Sequence, residues 1–458
     1  MGKLWHKKTE LNGEIEKFTV GDDYILDQQI VSADCTASIA HAKMLSRIGI
    51  LKDKEFKALK RELVNILKDN EDGRFGITVQ DEDSHTAIEN RLTEVLGEEG
   101  KKIHTGRSRN DQVIAALRLF ARDFLIYFEK RCMSLAETLI NFAEKNKGVP
   151  MPGRTHMQLA MPSSVGLWAG SFVEEIIDDT QLIVQAYDLN NMSPLGSAAS
   201  YGVPLALDRE MVSDLLGFKR VQNNVLYVNN SRGKIESVIL NAAEQVMLTL
   251  SKMAQDMILF SMPEFGYFTI PEEICTGSSI MPQKRNPGML ELIRAKTATV
   301  SSLNLQVKSI LRGLPSGYNR DFQETKRAFI EGIRTATMSV KIMELTINRL
   351  KVNKKALLAG FKPEIFATDY AIQLVKDGTP FREAYREVGL NLDKLEKMDP
   401  YKAITEKNYS GAPGNLRLDL SSERLLRMKK EIDTEDLRIK NRIKSLTGLN
   451  ISFFKTMG

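Results

Sequence analysis

The segment from Arg107 to Lys147 contains neither glycine nor proline, and its apolar residues recur at helical spacing. The steps between them are mostly three, four or seven, as in Val113, Leu117, Phe120, Phe124, Phe128, Leu135, Leu139 and Phe142. A helix of about 38 residues would be roughly 57 Å long, far longer than the usual globular helix. Since a long amphipathic helix must bury its apolar face along its whole length, this segment requires other long helices beside it.

Three more segments predict helices of comparable length. They cover residues 233–261, 289–312 and 163–190, and the second ends at the helix-stopping Gly313 and Pro315. Shorter helices are predicted for residues such as 53–68 and 83–96. Strand patterns are scarce, because the β-branched runs near Ile77 and Val221 are short. We therefore predict an all-α fold built around a bundle of long helices.

The distribution of long and short helices predicts a three-part subunit. Residues 1–106 form an N-terminal helical domain, residues 107–356 the central long-helix bundle, and residues 357–458 a small C-terminal domain of short helices interrupted by proline. The apolar arc of the first long helix is wider than one stripe, which predicts oligomerisation through the bundle. The residues that widen it are Leu119, Leu125, Ile126 and Tyr127.

Composition excludes several classes of protein. The 64 Lys and Arg residues exceed the 59 Asp and Glu residues by only 5, without a basic stripe, which argues against nucleic-acid binding. Cys35, Cys132 and Cys275 are far apart and form no CxxC pair, which is typical of reduced thiols in the cytoplasm. The N-terminal residues 1–18 contain no apolar core of a signal peptide, and no apolar run is long enough to span a membrane.

Four polar segments interrupt the predicted long helices. They read HTGRSRNDQ at 104–112, GRTHMQLAMP at 153–162, TGSSIMPQKRNP at 276–287 and YNRDFQETK at 318–326. Helix ends carry unpaired N–H donors, and with Arg, Lys and Asn side chains they suit an anionic ligand. The sequence therefore predicts a substrate with carboxylate or phosphate groups.

Each polar segment also has a purely structural interpretation. The Gly-Ser-Ser run with Lys284 and Asn286 fits a loop that closes over a ligand, or a plain connection between helices. His156 suits general acid–base chemistry, or a structural turn. Arg109 and Asn110 fit an anion site, or the solvated first turn of a helix. No HxxxH, HExxH, phosphate-loop, dinucleotide or GxSxG pattern occurs, so we predict no metal and no such cofactor.

Together and in this order, the four segments resemble the argininosuccinate lyase family of the fumarase/aspartase superfamily. GSSIMPQKRNP is similar to the superfamily signature GSSxMPxKxNP, and GRTHMQLAMP to the family's THxQxAQP turn. HTGRSRNDQ and YNRDFQETK resemble segments particular to argininosuccinate lyases. The resemblance implies reversible cleavage of argininosuccinate to arginine and fumarate, without a cofactor, in a homotetramer whose active sites are shared between three subunits.

The resemblance also implies catalytic roles. Removing a proton next to a carboxylate requires a strong base and stabilisation of the resulting aci-carboxylate. The family pattern places the base at Ser278 and the stabilising groups at Lys284 and Asn286. His156 would assist departure of the guanidino nitrogen and be oriented by Glu291, although the acid and base labels within the Ser278 and His156 pair stay open. The substrate site implied by the resemblance comprises Ser38, Arg109, Asn110, Thr155, Asn286, Tyr318, Gln323 and Lys326.

The chain departs from the family pattern at the segment GSAASYGVP, residues 196–204, where GSxALAGT is common. Ser200 and Tyr201 there would reshape the substrate wall. Alternatives within enzymes are adenylosuccinate lyase, aspartase and fumarase, against which HTGRSRNDQ and YNRDFQETK argue. A structural protein that kept a lyase fold is a further alternative, and the intact Ser278 and His156 argue against it.

Overall fold

The computed structural model describes residues 12–455, and helices dominate this part of the chain. The described residues form eighteen α-helices, which we number in chain order. The helices are α1 Gly13–Val20, α2 Asp23–Asp27, α3 Val31–Arg47, α4 Asp53–Glu71, α5 Ser84–Leu96, α6 Glu98–Lys101, α7 Arg109–Asn146, α8 Val165–Asn190, α9 Arg209–Leu216, α10 Val225–Asn230, α11 Lys234–Ser261, α12 Gly288–Leu311, α13 Thr325–Arg349, α14 Lys354–Ala359, α15 Ala367–Lys376, α16 Phe381–Leu390, α17 Pro400–Thr405 and α18 Leu418–Thr447.

Short strands form three two-stranded sheets within the described residues. The strands are β1 Pro150–Thr155, β2 Gln158–Ser164, β3 Met192–Ser193, β4 Arg220–Val221, β5 Phe268–Thr269 and β6 Lys351–Val352. β1 and β2 are antiparallel, as are β5 and β6, whereas β3 and β4 are parallel. None of these pairs extends into a larger sheet, so the predicted all-α fold is confirmed.

The five helices α7, α8, α11, α12 and α13 pack lengthwise into the central bundle. α7 has 38 residues, as the periodicity predicted, and begins at a capping box. There Ser108 accepts a hydrogen bond from the N–H of Asn110, and the Asp111 carboxylate accepts one from the N–H of Ser108. The four polar segments each precede the first turn of one bundle helix, α7, α8, α12 or α13. The bundle helices thus determine where each polar segment lies in the fold.

Two long helices were not predicted, α13 in the bundle and α18 near the C-terminus, where only short helices were expected. α18 has 30 residues and packs against α7, α8 and α9. Its buried face repeats at helical spacing in Leu425, Met428, Ile432, Ile439 and Ile443. Many charged residues between these positions lower the mean hydropathy and mask the pattern. Residues 425–454 therefore join the main core of the bundle.

The wide apolar arc of α7 is covered within the subunit, contrary to the expectation that it needs a partner chain. Leu119, Leu125 and Ile126 are buried, and Tyr127 packs on Phe454 with ring centroids 5.8 Å apart. Other bundle helices keep some apolar side chains exposed. Examples are Leu248 on α11, Leu292 and Leu305 on α12, and Met338 and Leu345 on α13.

No helix within residues 12–455 is long and apolar enough to cross a membrane. The first eleven residues, on which part of the signal-peptide prediction rests, lie outside the described residues.

Candidate active site

A cavity of about 350 Å³ lies where the first turn of α7 meets the start of α13 and the N-terminal helices. Five of the predicted substrate-site residues line it: Arg109, Asn110, Tyr318, Gln323 and Lys326. They come from HTGRSRNDQ and YNRDFQETK, which are about 200 residues apart in the chain. The wall is completed by acidic and basic side chains, which include Asp23, Asp27, Glu82, Asp83, His85, Arg232 and Arg320.

Lys326 forms a buried ion-pair cluster at the base of this cavity. Its Nζ lies 3.0 Å from Oδ1 of Asp23 and is also hydrogen-bonded to Asp27, and only 2% of the lysine side chain is exposed. Burial alone would lower the pKa of Lys326, but the two carboxylates outweigh it and raise that pKa. Burial likewise opposes ionisation of Asp27, yet Lys326 and His85 hold its pKa below the ordinary value. The ammonium group is therefore charged and fixed in place.

The other predicted residues of the cavity are also held by specific contacts. Arg109 pairs with Glu82 and with Asp83, so much of its charge is already compensated. The Gln323 amide donates to the backbone oxygens of Thr19 at 3.1 Å and Val20 at 3.2 Å. Tyr318 is 40% exposed. Asn110 and Tyr318 also line the cavity, and they add an amide and a phenol to the charged side chains of Arg109 and Lys326.

Two functional candidates on the wall escaped the sequence analysis. His85 lies 2.6 Å from Asp34 through Nδ1, and its buried Nε2 has no hydrogen-bond partner among the described residues. Burial favours the neutral imidazole, but Asp34 outweighs it and raises the pKa of His85. Arg232 is buried with its Nε equally unpartnered, and its guanidinium stacks on Tyr318 at 5.8 Å. No motif singles out these two residues: His85 lies in the first turn of α5, and Arg232 in the turn between α10 and α11.

Ser38 lies behind the cavity wall rather than on it. It is buried in α3 and accepts a hydrogen bond of 2.8 Å from Nη1 of Arg107. Arg107 directly precedes the Ser108 cap of α7, so Ser38 supports the turn that carries Asn110. The cavity lining does not include Ser38.

The predicted catalytic residues Ser278, Lys284 and Asn286 share one exposed loop. Backbone hydrogen bonds of 2.9 and 2.8 Å between Thr276 and Asn286 close the base of this loop. The Ser278 Oγ accepts hydrogen bonds from the N–H groups of Ile280 at 3.4 Å and Met281 at 3.1 Å. Glu291 follows in the exposed first turn of α12.

Thr155 and His156 lie in the hairpin between β1 and β2, which the sequence analysis described only as a turn. Thr155 pairs with Gln158, so His156 and Met157 form a two-residue connection with φ angles of 52° and 63°. Positive angles at both positions are those of a type I′ turn, which glycine and asparagine usually occupy. His156 is exposed beside a second cavity of about 470 Å³.

One chain thus brings together only part of the predicted site. The lining of the first cavity includes no residue of the β1–β2 hairpin and none of the Ser278 loop. The hydrogen bonds and ion pairs of the described residues include none that joins His156 to Glu291 or to Ser278. The predicted site residues therefore form three separate groups, which lie in the first cavity, in the β1–β2 hairpin and in the Ser278 loop.

Comparisons with known proteins agree with this arrangement of motifs. A lyase family profile matches residues 15–301. An argininosuccinate lyase of Thermotoga neapolitana is 45% identical, over 84% of this chain and 97% of that protein. An argininosuccinate lyase of Sorangium cellulosum is 43% identical, over 92% of this chain and 98% of that protein. The chain belongs to the argininosuccinate lyase family. It is therefore a lyase.

Solved structures of similar fold include an EDDS lyase and a class II fumarase. An EDDS lyase in complex with formate has a TM-score of 0.82 at 20% identity, covering 96% of this chain and 95% of that one. A class II fumarase from Schistosoma mansoni has a TM-score of 0.68 at 17% identity, covering 84% and 94%. At these identities the likeness concerns the fold alone, and it confirms the fumarase/aspartase-like architecture.

Among the described residues, no group of three or more His, Cys, Asp or Glu side chains is arranged to hold a metal ion. The carboxylates of the first cavity are engaged instead with Lys326 and Arg109.

Proposed function

We propose that this chain is an argininosuccinate lyase, which cleaves argininosuccinate reversibly into arginine and fumarate in the last step of arginine biosynthesis. One observation carries the proposal: the two segments particular to argininosuccinate lyases, HTGRSRNDQ and YNRDFQETK, line one cavity. Argininosuccinate carries three carboxylates, an ammonium group and a guanidinium. A wall that alternates arginine and lysine with aspartate and glutamate suits a substrate of that mixed charge.

The reaction is an elimination. A base removes the proton from the carbon next to a succinate carboxylate, and the electron pair moves into that carboxylate as an aci-carboxylate. The pair then returns to form the carbon–carbon double bond of fumarate, while the carbon–nitrogen bond breaks and the guanidino nitrogen takes a proton. No electrons pass to a second molecule, so we propose that the reaction uses no cofactor.

We assign the base to Ser278. An ordinary serine hydroxyl is too weak, so this step requires groups that favour the alkoxide. The two N–H groups that already donate to the Ser278 Oγ would do so, since they point partial positive charge at the oxygen. The exposed Ile280, with 83% of its surface accessible, would become buried when the loop closes over substrate.

The remaining residues would act where charge develops during the reaction, on the aci-carboxylate and on the departing guanidino nitrogen. Lys284 and Asn286 stabilise the aci-carboxylate, Lys284 by its positive charge and Asn286 by its amide. His156 protonates the departing nitrogen directly or through water, and Glu291 orients the imidazole. Thr155 positions the substrate beside His156, and Arg109, Asn110, Tyr318, Gln323 and Lys326 bind its carboxylates and amino-acid end. Ser38 acts through the turn at Arg107.

We propose a homotetramer in which three subunits complete each site, because one chain keeps the three groups of residues apart. The central part, residues 107–356, would carry the assembly, flanked by the domains of residues 1–106 and 357–458. Exposed side chains such as Leu305, at 64%, and Leu248, at 47%, supply an apolar surface for packing between subunits. The three separated cysteines, all unpaired, support a cytoplasmic location.

Mixing two inactive variants tests whether sites are shared. Ser278→Ala and His156→Asn chains, unfolded together and reassembled, are expected to regain activity in roughly a quarter of the sites, since each intact group is present with probability one half. The measurement is fumarate formation, with each variant reassembled alone as the control. No regained activity in a mixture of tetrameric size would place both groups in one subunit.

The substrate is tested by mixing purified protein separately with argininosuccinate, adenylosuccinate, aspartate and malate. We expect an increase in fumarate absorbance with argininosuccinate alone. Fumarate release from a different substrate would support the proposed elimination reaction but would show that argininosuccinate is not the substrate. If none of the four compounds gave fumarate, the result would favour the alternative that the chain is a structural protein with a lyase fold.

A further inference from the structure

The Asp111 carboxylate joins two parts of the chain that flank the substrate cavity. It lies at the third position of α7, with no exposed surface. Its Oδ1 accepts a hydrogen bond of 3.0 Å from the N–H of Ser108, as a capping box requires. Its Oδ2 accepts two more, from the N–H of Gly196 at 3.2 Å and of Ala198 at 2.9 Å. Helix capping explains the first bond but not the other two.

The segment that Asp111 holds, residues 196–201, has an unfavourable backbone conformation. Ala198 has a φ of 51° and Ser200 a φ of 82°, in the region that glycine favours. The Ser200 hydroxyl is buried without a hydrogen-bond partner among the described residues. Such a conformation persists only when surrounding contacts enforce it. Besides Asp111, the nearby anchor is Arg209, whose Nε donates to the Leu195 oxygen at 2.9 Å.

The other end of this segment contacts the second wall of the cavity. A Cβ at Gly317 would lie 3.5 Å from the Tyr201 hydroxyl and 3.8 Å from the Ser200 Oγ, so the segment closely approaches Gly317. Gly317 directly precedes Tyr318, which lines the same cavity as Asn110 of the α7 turn. Through the 196–201 segment, the Asp111 carboxylate thus connects the turn that carries Asn110 with the backbone next to Tyr318.

We propose that Asp111 is a positioning residue that sets the distance between the Asn110 and Tyr318 walls of the cavity through the 196–201 segment. This inference rests on the proposed function, since it assumes that the cavity binds substrate. Asp111 does not touch the cavity itself, and its effect passes through backbone groups of α7 and of the 196–201 segment.

The charge of Asp111 provides an independent readout. Burial raises its pKa to about 6, against the opposing effect of the three backbone N–H donors and Arg107. Arg209 is the other charged group that faces it. Protonation removes the negative charge that strengthens all three hydrogen bonds and adds an O–H donor among N–H donors, so the three bonds weaken. The KM of the unmodified protein is therefore expected to rise below a pH of about 6.

The central experiment replaces Asp111 by asparagine, which keeps the size but turns an NH₂ group toward N–H donors. We expect KM for argininosuccinate to rise about tenfold with kcat changed little, as for a loss of binding geometry. We also expect the amides of residues 196–198 and 317–318 to exchange hydrogen about tenfold faster. The rise of KM below a pH of about 6 should disappear in this variant.

Asp123→Asn is the matched control. Asp123 lies on the same helix and accepts a backbone hydrogen bond of 2.6 Å from Phe453, away from the cavity. We expect it to lower Tm but to leave KM and the exchange at 317–318 unchanged. Should Asp111→Asn fail to fold, Tyr201→Ala tests the same contact from an exposed position, where a severalfold rise in KM without a change in Tm is expected.

The outcomes separate the inference from the proposed function. If the unmodified protein releases no fumarate from argininosuccinate, the proposed function fails, and faster exchange at residues 317–318 in Asp111→Asn still supports the coupling of the walls. If KM and that exchange are the same in Asp111→Asn as in Asp123→Asn, the positioning role is overturned. A pH profile of KM shared by both variants and the unmodified protein would overturn it as well.

Discussion

Replacing Ser278 by alanine is expected to lower kcat by about 10³-fold, because the elimination loses its base. The hydroxyl is partly exposed, and within residues 12–455 its hydrogen bonds come from N–H groups of its own loop, so its removal should leave the fold unchanged. The measurement is the steady-state rate of fumarate release from argininosuccinate. Circular dichroism and the size of the assembly would confirm that the variant folds and associates like the parent protein.

Ser279→Ala is the control for the Ser278 prediction. Ser279 is the next residue of the same exposed loop, and its change alters the loop composition identically. We expect its kcat to stay within about threefold of the parent value, as for a residue outside the reacting atoms. Equal losses in the two variants would assign the effect to the loop, and near-normal turnover in Ser278→Ala would remove that residue from the mechanism.

Replacing Lys326 by methionine is expected to lower the free energy of unfolding by about 3–5 kcal/mol, because it leaves buried carboxylates without their partner. Asp27 has no exposed surface, and besides Lys326 it accepts a hydrogen bond of 3.1 Å from the N–H of Ser84. Urea unfolding at pH 7 and one fixed protein concentration would measure the loss. Substrate binding should fall as well, because Lys326 lines the cavity.

Lys130→Met is the matched control for Lys326. The Lys130 side chain is 34% exposed and pairs with Asp433 at 2.8 Å and with Asp436 at 2.6 Å. Because solvent reaches the lysine and screens both ion pairs, their loss should cost about 1 kcal/mol, well below the loss expected for Lys326. Adding Asp27→Asn to Lys326→Met should recover part of the lost stability, since one uncompensated charge is removed. A loss in Lys326→Met no greater than in Lys130→Met would contradict the buried ion pair.

The sequence predicted four of the long helices closely, because their signal is local, but it did not predict α13 or α18. The spacing of apolar residues between Arg107 and Lys147 gave a helix that the structure bounds at Arg109 and Asn146. α18 carried a similar signal from Leu425 to Ile443, but its high charge and the prolines before it concealed the pattern. The β1–β2 segment was predicted as a turn but not as a hairpin, because His156 and Met157 occupy positions where glycine or asparagine is usual.

Contacts between residues far apart in the chain could not be predicted from the sequence, as two cases show. The apolar surplus of α7 suggested a partner chain, but the C-terminal segment around Phe454 covers part of it within the same subunit. No sequence motif singles out His85, yet it lies against Asp34, 51 residues away, and faces the cavity. Which side chain meets which depends on packing between distant elements, and spacing along one helix does not encode that.

The sequence by itself determined the family, the helical class and the residue types of the site, since motifs and helical periodicity are properties of short segments. Only the tertiary structure decided which of these segments meet. It joined the turn before α7 to the turn before α13 and kept the Ser278 loop and the His156 hairpin apart. The reason is geometric: rigid helices of the bundle hold the segments at their ends, and the packing of those helices fixes the distances between the segments.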